Sequence, residues 1–353
     1  VQFSFEKAAL PAGGAKGAIV YKGGILTTRT VRQGGKASVI LVIGTSDGKQ
    51  WTDGAVIASK PDAPGTDIGD GCLCVVGKEI WFSYRDNQLR ANTFSIKVAH
   101  SVDGGKSWSS HSTVATSAGA RQGLWASHLV DIGDGRVLCT FDDEAAPWKT
   151  HPGHQWLTGV VWNPKARVWD APRTVSRAHN PVHLSRDGMP SVVRLGKAQG
   201  SPLGCAFETV TTTPEHASQI MFVTSNDNGA QWSWETAERS VIFRSKVSRY
   251  SAYCPWLTQL STGVLACVFT SNDRAETFDF PGTPAGKLHG DVMLSTSQDQ
   301  GRTWSKAEVV YAGGNRNYMP QLLEVSPGKL LCLSLDHTIN RFTAITGTIG
   351  PKK

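Results

Sequence analysis

Short apolar runs separated by polar, glycine-containing turns recur along the whole chain. Pro255-Trp-Leu-Thr-Gln-Leu260 is followed by Ser-Thr-Gly263 and then by Val-Leu-Ala-Cys267. Pro320-Gln-Leu-Leu-Glu-Val325, Ser-Pro-Gly328 and Lys-Leu-Leu-Cys332 repeat that plan. Leu124 to Cys139 and Met189 to Cys205 follow it too, with looser versions from Gly17 to Leu26 and from Asp67 to Val76. Runs this short, bounded by turn residues, read as strands joined by hairpins. A third apolar run then leads into a tighter turn, as in Ile220-Met-Phe-Val-Thr-Ser225 and Asp291-Val-Met-Leu-Ser-Thr296.

That tighter turn carries a motif, Ser-x-Asp-x-Gly-x-x-Trp, at Ser101–Trp108, Ser225–Trp232 and Ser297–Trp304, with a one-residue-short copy at Thr45–Trp51. Ser and Asp side chains bond the backbone of a tight turn. Glycine supplies a positive φ, and the indole packs its apolar face back onto the sheet. Trp162 to Trp169 reads as a worn copy. The closing tryptophans recur about every 57–72 residues, a period that fits propeller blades.

The predicted fold is therefore all-β: a six-bladed β-propeller of four-stranded antiparallel blades, spanning residues 1–353 as one domain. Val1–Phe5 and Phe342–Thr346 are the expected strands of the closing blade, because a ring must hide its open sheet edges. The proline- and glycine-rich stretches at 61–71 and 280–290 read as long loops within blades. Trp108, Trp232 and Trp304 are expected to be largely buried on the blade rims.

Composition narrows the class. The net charge of +7 on 353 residues includes no basic run interleaved with stacking aromatics, so nucleic acid is not an expected partner. No apolar run approaches membrane-spanning length. The seven cysteines are an odd number and show no zinc spacing; they read as small buried hydrophobes. His151-Pro-Gly-His154 and His179-Asn-Pro-Val-His183 lack a patterned carboxylate, and no metal is assigned to them. No phosphate loop, dinucleotide motif or other cofactor signature stands out.

With both repeats in hand, the chain resembles the sialidase-like propellers, whose Asp-box is the turn motif above. It lacks the Arg-Ile-Pro motif of the sialidases proper in the first-blade stretch Gly17 to Arg29, which puts a three-arginine carboxylate clamp in doubt. It is more similar to the exo-arabinanases of glycoside hydrolase family 93. The similar segments are Gly123-Leu-Trp125, Asp134 to Glu144, Arg186-Asp-Gly-Met-Pro190 and Phe207-Glu208. This resemblance implies a retaining exo-glycosidase in which Glu144 and Glu208 act from neighbouring blades. Ala126-Ser127 stands where that family would carry an acidic residue and proline.

The residues themselves point the same way. Asp142-Asp143-Glu144 places three carboxylates at the end of an apolar strand, a costly arrangement unless they face a cleft or find partners. Glu208 ends a similar strand one blade on, and two carboxyl groups at an axial mouth suit glycoside cleavage. Tyr318 begins the last inner strand and admits three roles: nucleophile, orienting donor or packing. Arg85, in Arg85-Asp86-Asn87, suits either sugar binding or a solvated turn. Trp125 is core or sugar platform, and Tyr253 and Asp143 are further candidates for substrate contact. The expectation is thus a secreted, monomeric exo-glycosidase without cofactor or metal, acting on arabinan or a related polysaccharide. The rivals are an exo-enzyme for acidic sugars, which the positive charge favours, and a non-catalytic glycan- or protein-binding propeller.

Overall fold

The computed structural model describes residues 7–12, 15–178, 184–198, 200–211, 218–237, 239–245, 252–273, 290–312, 317–336 and 341–348. Six antiparallel sheets stand around one axis. From the axis outward, the first blade has strands Ala15–Tyr21, Gly24–Gln33, Lys36–Thr45 and Trp51–Pro61. The second has Thr66–Val76, Glu79–Gln88, Thr93–Ser101 and Ser109–Ala118. In the third, Leu124–Gly133, Arg136–Asp143 and Trp156–Asn163 are followed by an outer strand split into Val168–Trp169 and Arg173–Ser176. The fourth comprises Ser185–Arg194, Leu203–Thr211, Ser218–Ser225 and Ser240–Arg244, and the fifth Ala252–Gln259, Leu265–Ser271, Asp291–Ser297 and Glu308–Tyr311. The sixth takes Asn317–Ser326, Lys329–Asp336 and Arg341–Thr348 from the end of the chain and its outermost strand, Lys7–Ala12, from the beginning.

The middle strands explain the continuous apolar runs. In the fifth blade Leu265, Cys267 and Phe269 pack with fourth-blade residues, while Ala266 and Val268 pack with the sixth. Both faces of each sheet are covered, so alternation of apolar with polar residues is lost there. Among the described residues the core forms six wedges, each between two neighbouring blades, the last joining Leu331 and Leu333 of the sixth blade to Ile25 of the first. Phe82, Phe141, Phe207 and Phe269 are fully buried in these wedges; each such side chain contributes about 1.5–3 kcal/mol. All seven cysteines are buried free thiols.

The motif turns sit between the third and fourth strands, at the rim. In each full copy the serine hydroxyl donates to the aspartate at 2.8 Å and accepts the glycine N–H at 2.8–2.9 Å. The indole N–H then donates to the glycine carbonyl at 3.2 Å. The glycine is required twice. Its φ is positive, +89° at Gly301, and a Cβ on Gly301 would come within 2.2 Å of Phe222 in the preceding blade. Gly48 meets Leu331 of the sixth blade in the same way. Each turn therefore closes its own hairpin and fits against its neighbour. Asn163 to Val168 makes the turn in the third blade, where Trp162 and Trp169 stack edge-on at 5.5 Å.

One expectation needs correction, and another lies partly outside the described residues. Trp232 is 2% exposed, as expected, but Trp108 and Trp304 are only half-buried, because their indoles cap the outer ends of the wedges. The closing strand is Lys7–Ala12, paired with Arg341–Thr348 in the register Lys7↔Ile345 and Ala9↔Thr343; Val1–Phe5 lies outside the described residues. Pro11 is tolerated there because the strand is the sheet edge, where a missing N–H leaves no ladder bond broken. Successive inner strands touch around the full circle, the sixth meeting the first.

Replacing Trp232 by alanine removes a fully packed indole from the wedge between the third and fourth blades. It should lower the unfolding free energy by about 3–5 kcal/mol, measured by urea unfolding followed by circular dichroism, with sugar binding by the folded variant unchanged.

Candidate active site

Each inner strand carries a two-residue bulge near its N-terminal end, at 17–18, 70–71, 125–126, 189–190, 254–255 and 319–320. At five of the six, the first bulge residue is left-handed: Gly17, Asp70, Met189, Cys254 and Met319, with φ of 71°, 52°, 53°, 52° and 49°. Holding a side-chain-bearing residue there costs about 1–2 kcal/mol. Bulges bend a strand and re-aim its side chains, and here they do so at the same end of all six blades.

The result is a convergence of one polar group from each blade: Lys16, Asp70, Asp142, Glu208, Cys254 and Tyr318. The charge of Lys16 from the first blade and of Asp70 from the second acts on Asp142 of the third and Glu208 of the fourth. Glu208 acts in turn on Cys254 of the fifth and Tyr318 of the sixth. Only a position on the axis brings six blades within electrostatic reach of one another. Lys16 Nζ pairs with Asp70 Oδ1 at 2.8 Å and lies 3.7 Å from Met189 Sδ. Asp70 also pairs with Arg85, whose Nε meets Asp67 Oδ2 at 2.7 Å.

The electrostatics separate the three carboxyl groups. Burial pushes Asp70 upward, but Lys16 and Arg85 outweigh it and hold the group at about 2. Burial raises Glu208 to about 7 against the opposing Cys254 N–H and Lys16. Burial also lifts Asp142 well above the carboxylate range; Lys16 opposes this, while Glu208 and Asp70 add to it. The Tyr318 hydroxyl and Cys254 thiol hydrogen-bond each other, and Cys254, burial and Glu208 all push the phenol upward. Asp70 is thus a fixed anion, whereas Asp142 and Glu208 can hold and release protons.

The three consecutive acids at 142–144 go three ways. Asp142 faces the fourth blade and accepts the Met189 N–H at 2.9 Å. Asp143 ties a turn, accepting Ala145 N–H and Ala146 N–H at 2.8 Å and the Thr158 hydroxyl at 2.9 Å. Glu144 pairs with Arg186 and accepts the Gly123 N–H at 3.1 Å. Arg186 is steadied by Gln155 Oε1 at 2.9 Å and the Gly153 carbonyl at 3.1 Å. Asp187 beside it is fully buried, held by Arg239 at 2.6 Å and by Ser176 and Ser185 at 2.7 Å. Trp125 packs edge-on to Phe94 at 5.6 Å, with its indole over Gly123. Tyr253 is half-buried, opposite Thr270 and next to the Cys254 bulge.

Glu208, Tyr318 and Arg85, through Asp70, therefore share the axial cluster, whereas Glu144 and Asp143 are held by other partners. Lys16, Asp70 and Cys254 are members that the sequence pattern does not single out; only Cys254 carries a signal, the proline directly after the left-handed residue that it shares with Met189 and Met319. His179 and His183 lie outside the described residues.

Beside the axis, between the first two blades, opens a cleft of about 240 Å³. Lys16, Arg29, Arg32, Asp67, Asp70 and Arg85 contribute its polar lining. Its cations are matched by carboxylates, Arg29 by Asp53 and Arg32 by Asp62 as well as the pairs above. Such a lining offers donors and acceptors together.

No protein-family model matches the chain, and no curated protein matches it in sequence. Solved structures do match its fold. The α-L-arabinanase of Penicillium chrysogenum complexed with arabinobiose superposes with a TM-score of 0.70 at 15% identity, over 99% of this chain and 98% of that one. The family 93 α-L-arabinofuranosidase of Fusarium graminearum with arabinobiose gives 0.67 at 15% identity, over 98% of each chain. A sialidase of Streptococcus pneumoniae gives 0.60 at 12% identity, over 98% of this chain and 70% of that one. The six-bladed ring of this chain is thus the ring found in arabinan-degrading enzymes and in sialidases.

Proposed function

We propose that the protein is a glycoside hydrolase that cleaves arabinan or a related plant polysaccharide from a chain end, using the axial cluster as its reaction centre. The observation that carries this reading is Glu208. It is a carboxyl group on the axis, held through Oε2 by the Cys254 N–H at 2.7 Å, and raised to about 7 by burial. Glycoside cleavage commonly uses a pair of carboxyl groups, one ionised to meet the anomeric carbon and one protonated to reach the leaving oxygen, and a buried carboxyl group on the axis suits either part. The likeness to structures holding arabinobiose supports the sugar class; the exo mode rests on the family resemblance alone, and secretion is proposed with it. A neutral sugar suits the cleft better than an acidic one, because its cations are already matched by carboxylates.

Thin-layer chromatography of products from linear arabinan, sialyllactose and gum arabic tests the reading. Release of a short arabinose-containing product is expected, and Glu208→Gln should cut turnover by at least about a hundredfold with the fold intact. Release of sialic acid would instead favour the acidic-sugar reading; no turnover of any glycan would favour a binding propeller.

Stability should follow pH with a definite sign. The Glu208 pKa is raised from 4.5 to about 7 on folding, so the folded state binds the extra proton between those values. Its contribution is present below the unfolded value and is lost as pH rises toward 7. The wild-type melting temperature should therefore fall between pH 5 and pH 8, and the fall should shrink in Glu208→Gln. An unchanged fall in the variant would place the titration elsewhere.

A further inference from the structure

Glu208 has a structural counterpart in the third blade, and it is Asp142. Both lie on the second strand of their blade, on the face turned toward the following blade. Each is preceded by a phenylalanine, Phe141 or Phe207, that packs into the wedge shared with the preceding blade. Each carboxylate accepts the N–H of a left-handed bulge residue one blade on: Asp142 from Met189 at 2.9 Å and Glu208 from Cys254 at 2.7 Å. The two sites are the same construction repeated on neighbouring blades.

Asp142 is only 5% exposed, yet among the described residues no hydrogen bond engages its Oδ2. A Cβ at Gly188 would stand 2.8 Å from Gln155 Nε2 and 3.2 Å from Oδ2, so a side chain there would crowd that oxygen. Lys16, whose charge acts on both groups, is itself paired with Asp70. Glu144 has the opposite environment, with Oε1 on Arg186 and Oε2 on the Gly123 N–H. A general acid needs an oxygen free to carry a proton to the substrate; Asp142 has one and Glu144 does not.

Building on the glycoside hydrolase reading above, we infer that Asp142 is the proton-donating carboxyl group that works opposite Glu208. In the first step the bond between the anomeric carbon and the glycosidic oxygen breaks and its electron pair goes to that oxygen. Asp142 Oδ2 delivers its proton there, and the leaving sugar departs as an alcohol. A Glu208 oxygen donates an electron pair to the anomeric carbon and forms a glycosyl ester. In the second step Asp142, now a carboxylate, takes a proton from water as the water oxygen bonds to the anomeric carbon, and the ester bond returns its pair to Glu208. Asp70, Lys16, Arg85, Cys254 and Tyr318 are the charged and titratable groups facing this exchange. Burial, opposed by Lys16 and reinforced by the Glu208 and Asp70 charges, pushes the Asp142 carboxyl well above the usual carboxylate range, the direction a donor role requires.

The test uses phenyl and 2,4-dinitrophenyl glycosides of the sugar that the wild-type enzyme releases from the polysaccharide panel. Asp142→Asn keeps an acceptor for the Met189 N–H. It should lose at least about a hundredfold in kcat/KM on the phenyl glycoside, whose leaving group needs a proton. On the dinitrophenyl glycoside, whose leaving group does not, it should lose little, and azide should restore turnover by forming a glycosyl azide. Glu144→Gln should keep the wild-type dependence on leaving group. Equal loss of Asp142→Asn on both substrates, no loss on either, or leaving-group dependence acquired by Glu144→Gln would overturn the assignment. If Asp142→Asn does not fold, as judged by circular dichroism, the Glu144→Gln comparison decides between the two acids. A wild-type enzyme that hydrolyses no glycoside would overturn the underlying reading instead, and this assignment with it.

Discussion

Every blade of this protein is apolar on both faces, and neither face can be buried within the blade itself. That constraint sets the rest. Leu265, Cys267 and Phe269 need the fourth blade, and Ala266 and Val268 need the sixth, so the sheets stack until the last meets the first. The pairing of Lys7–Ala12 with Arg341–Thr348 fixes the closure. Turn glycines such as Gly301 fit each hairpin against the preceding blade with no room for a side chain. Closure leaves one place where six strands meet end-on without a sheet between them. The polar groups collect there.

Why a buried axis carries charge is answered by the bulges. A left-handed residue at the same point of five inner strands lifts backbone N–H groups out of the ladder, and the Asp142 and Glu208 carboxylates accept two of them, from Met189 and Cys254. Burying a carboxyl group without partners is costly. These N–H groups and the Lys16–Asp70–Arg85 chain lower that cost without neutralising every acid. Lys16 and Arg85 hold the Asp70 carboxyl below the usual carboxylate range, while burial pushes those of Asp142 and Glu208 above it. The left-handed Met189, Cys254 and Met319 are backbone strain held beside this polar cluster.

The rim of the propeller was legible in the sequence because its chemistry is local: serine, aspartate, glycine and tryptophan within eight residues make one turn by themselves. The axis was far less legible. Lys16 and Asp70 are 54 positions apart and meet only because consecutive blades repeat at that spacing. The bulges hide because their left-handed residue is by turns glycine, aspartate, methionine and cysteine. The run Asp142-Asp143-Glu144 announced a site, but its three acids alternate along a strand and then leave it, so spacing could not say which one faces the axis. Within the closing strand, Lys-Ala-Ala-Leu-Pro-Ala gave no strand signal of its own, because at a sheet edge it needs neither alternation nor every N–H.

The claim on which the functional picture rests is that the axial carboxyl groups, rather than the neighbouring Glu144–Arg186 pair, receive the scissile bond. A crystal structure of Glu208→Gln soaked with an arabino-oligosaccharide would test it most directly. The glycosidic oxygen is predicted to lie within hydrogen-bonding distance of Asp142 Oδ2, with the anomeric carbon facing residue 208. A sugar bound instead against Glu144 and Arg186, with the axis filled only by water, would contradict it.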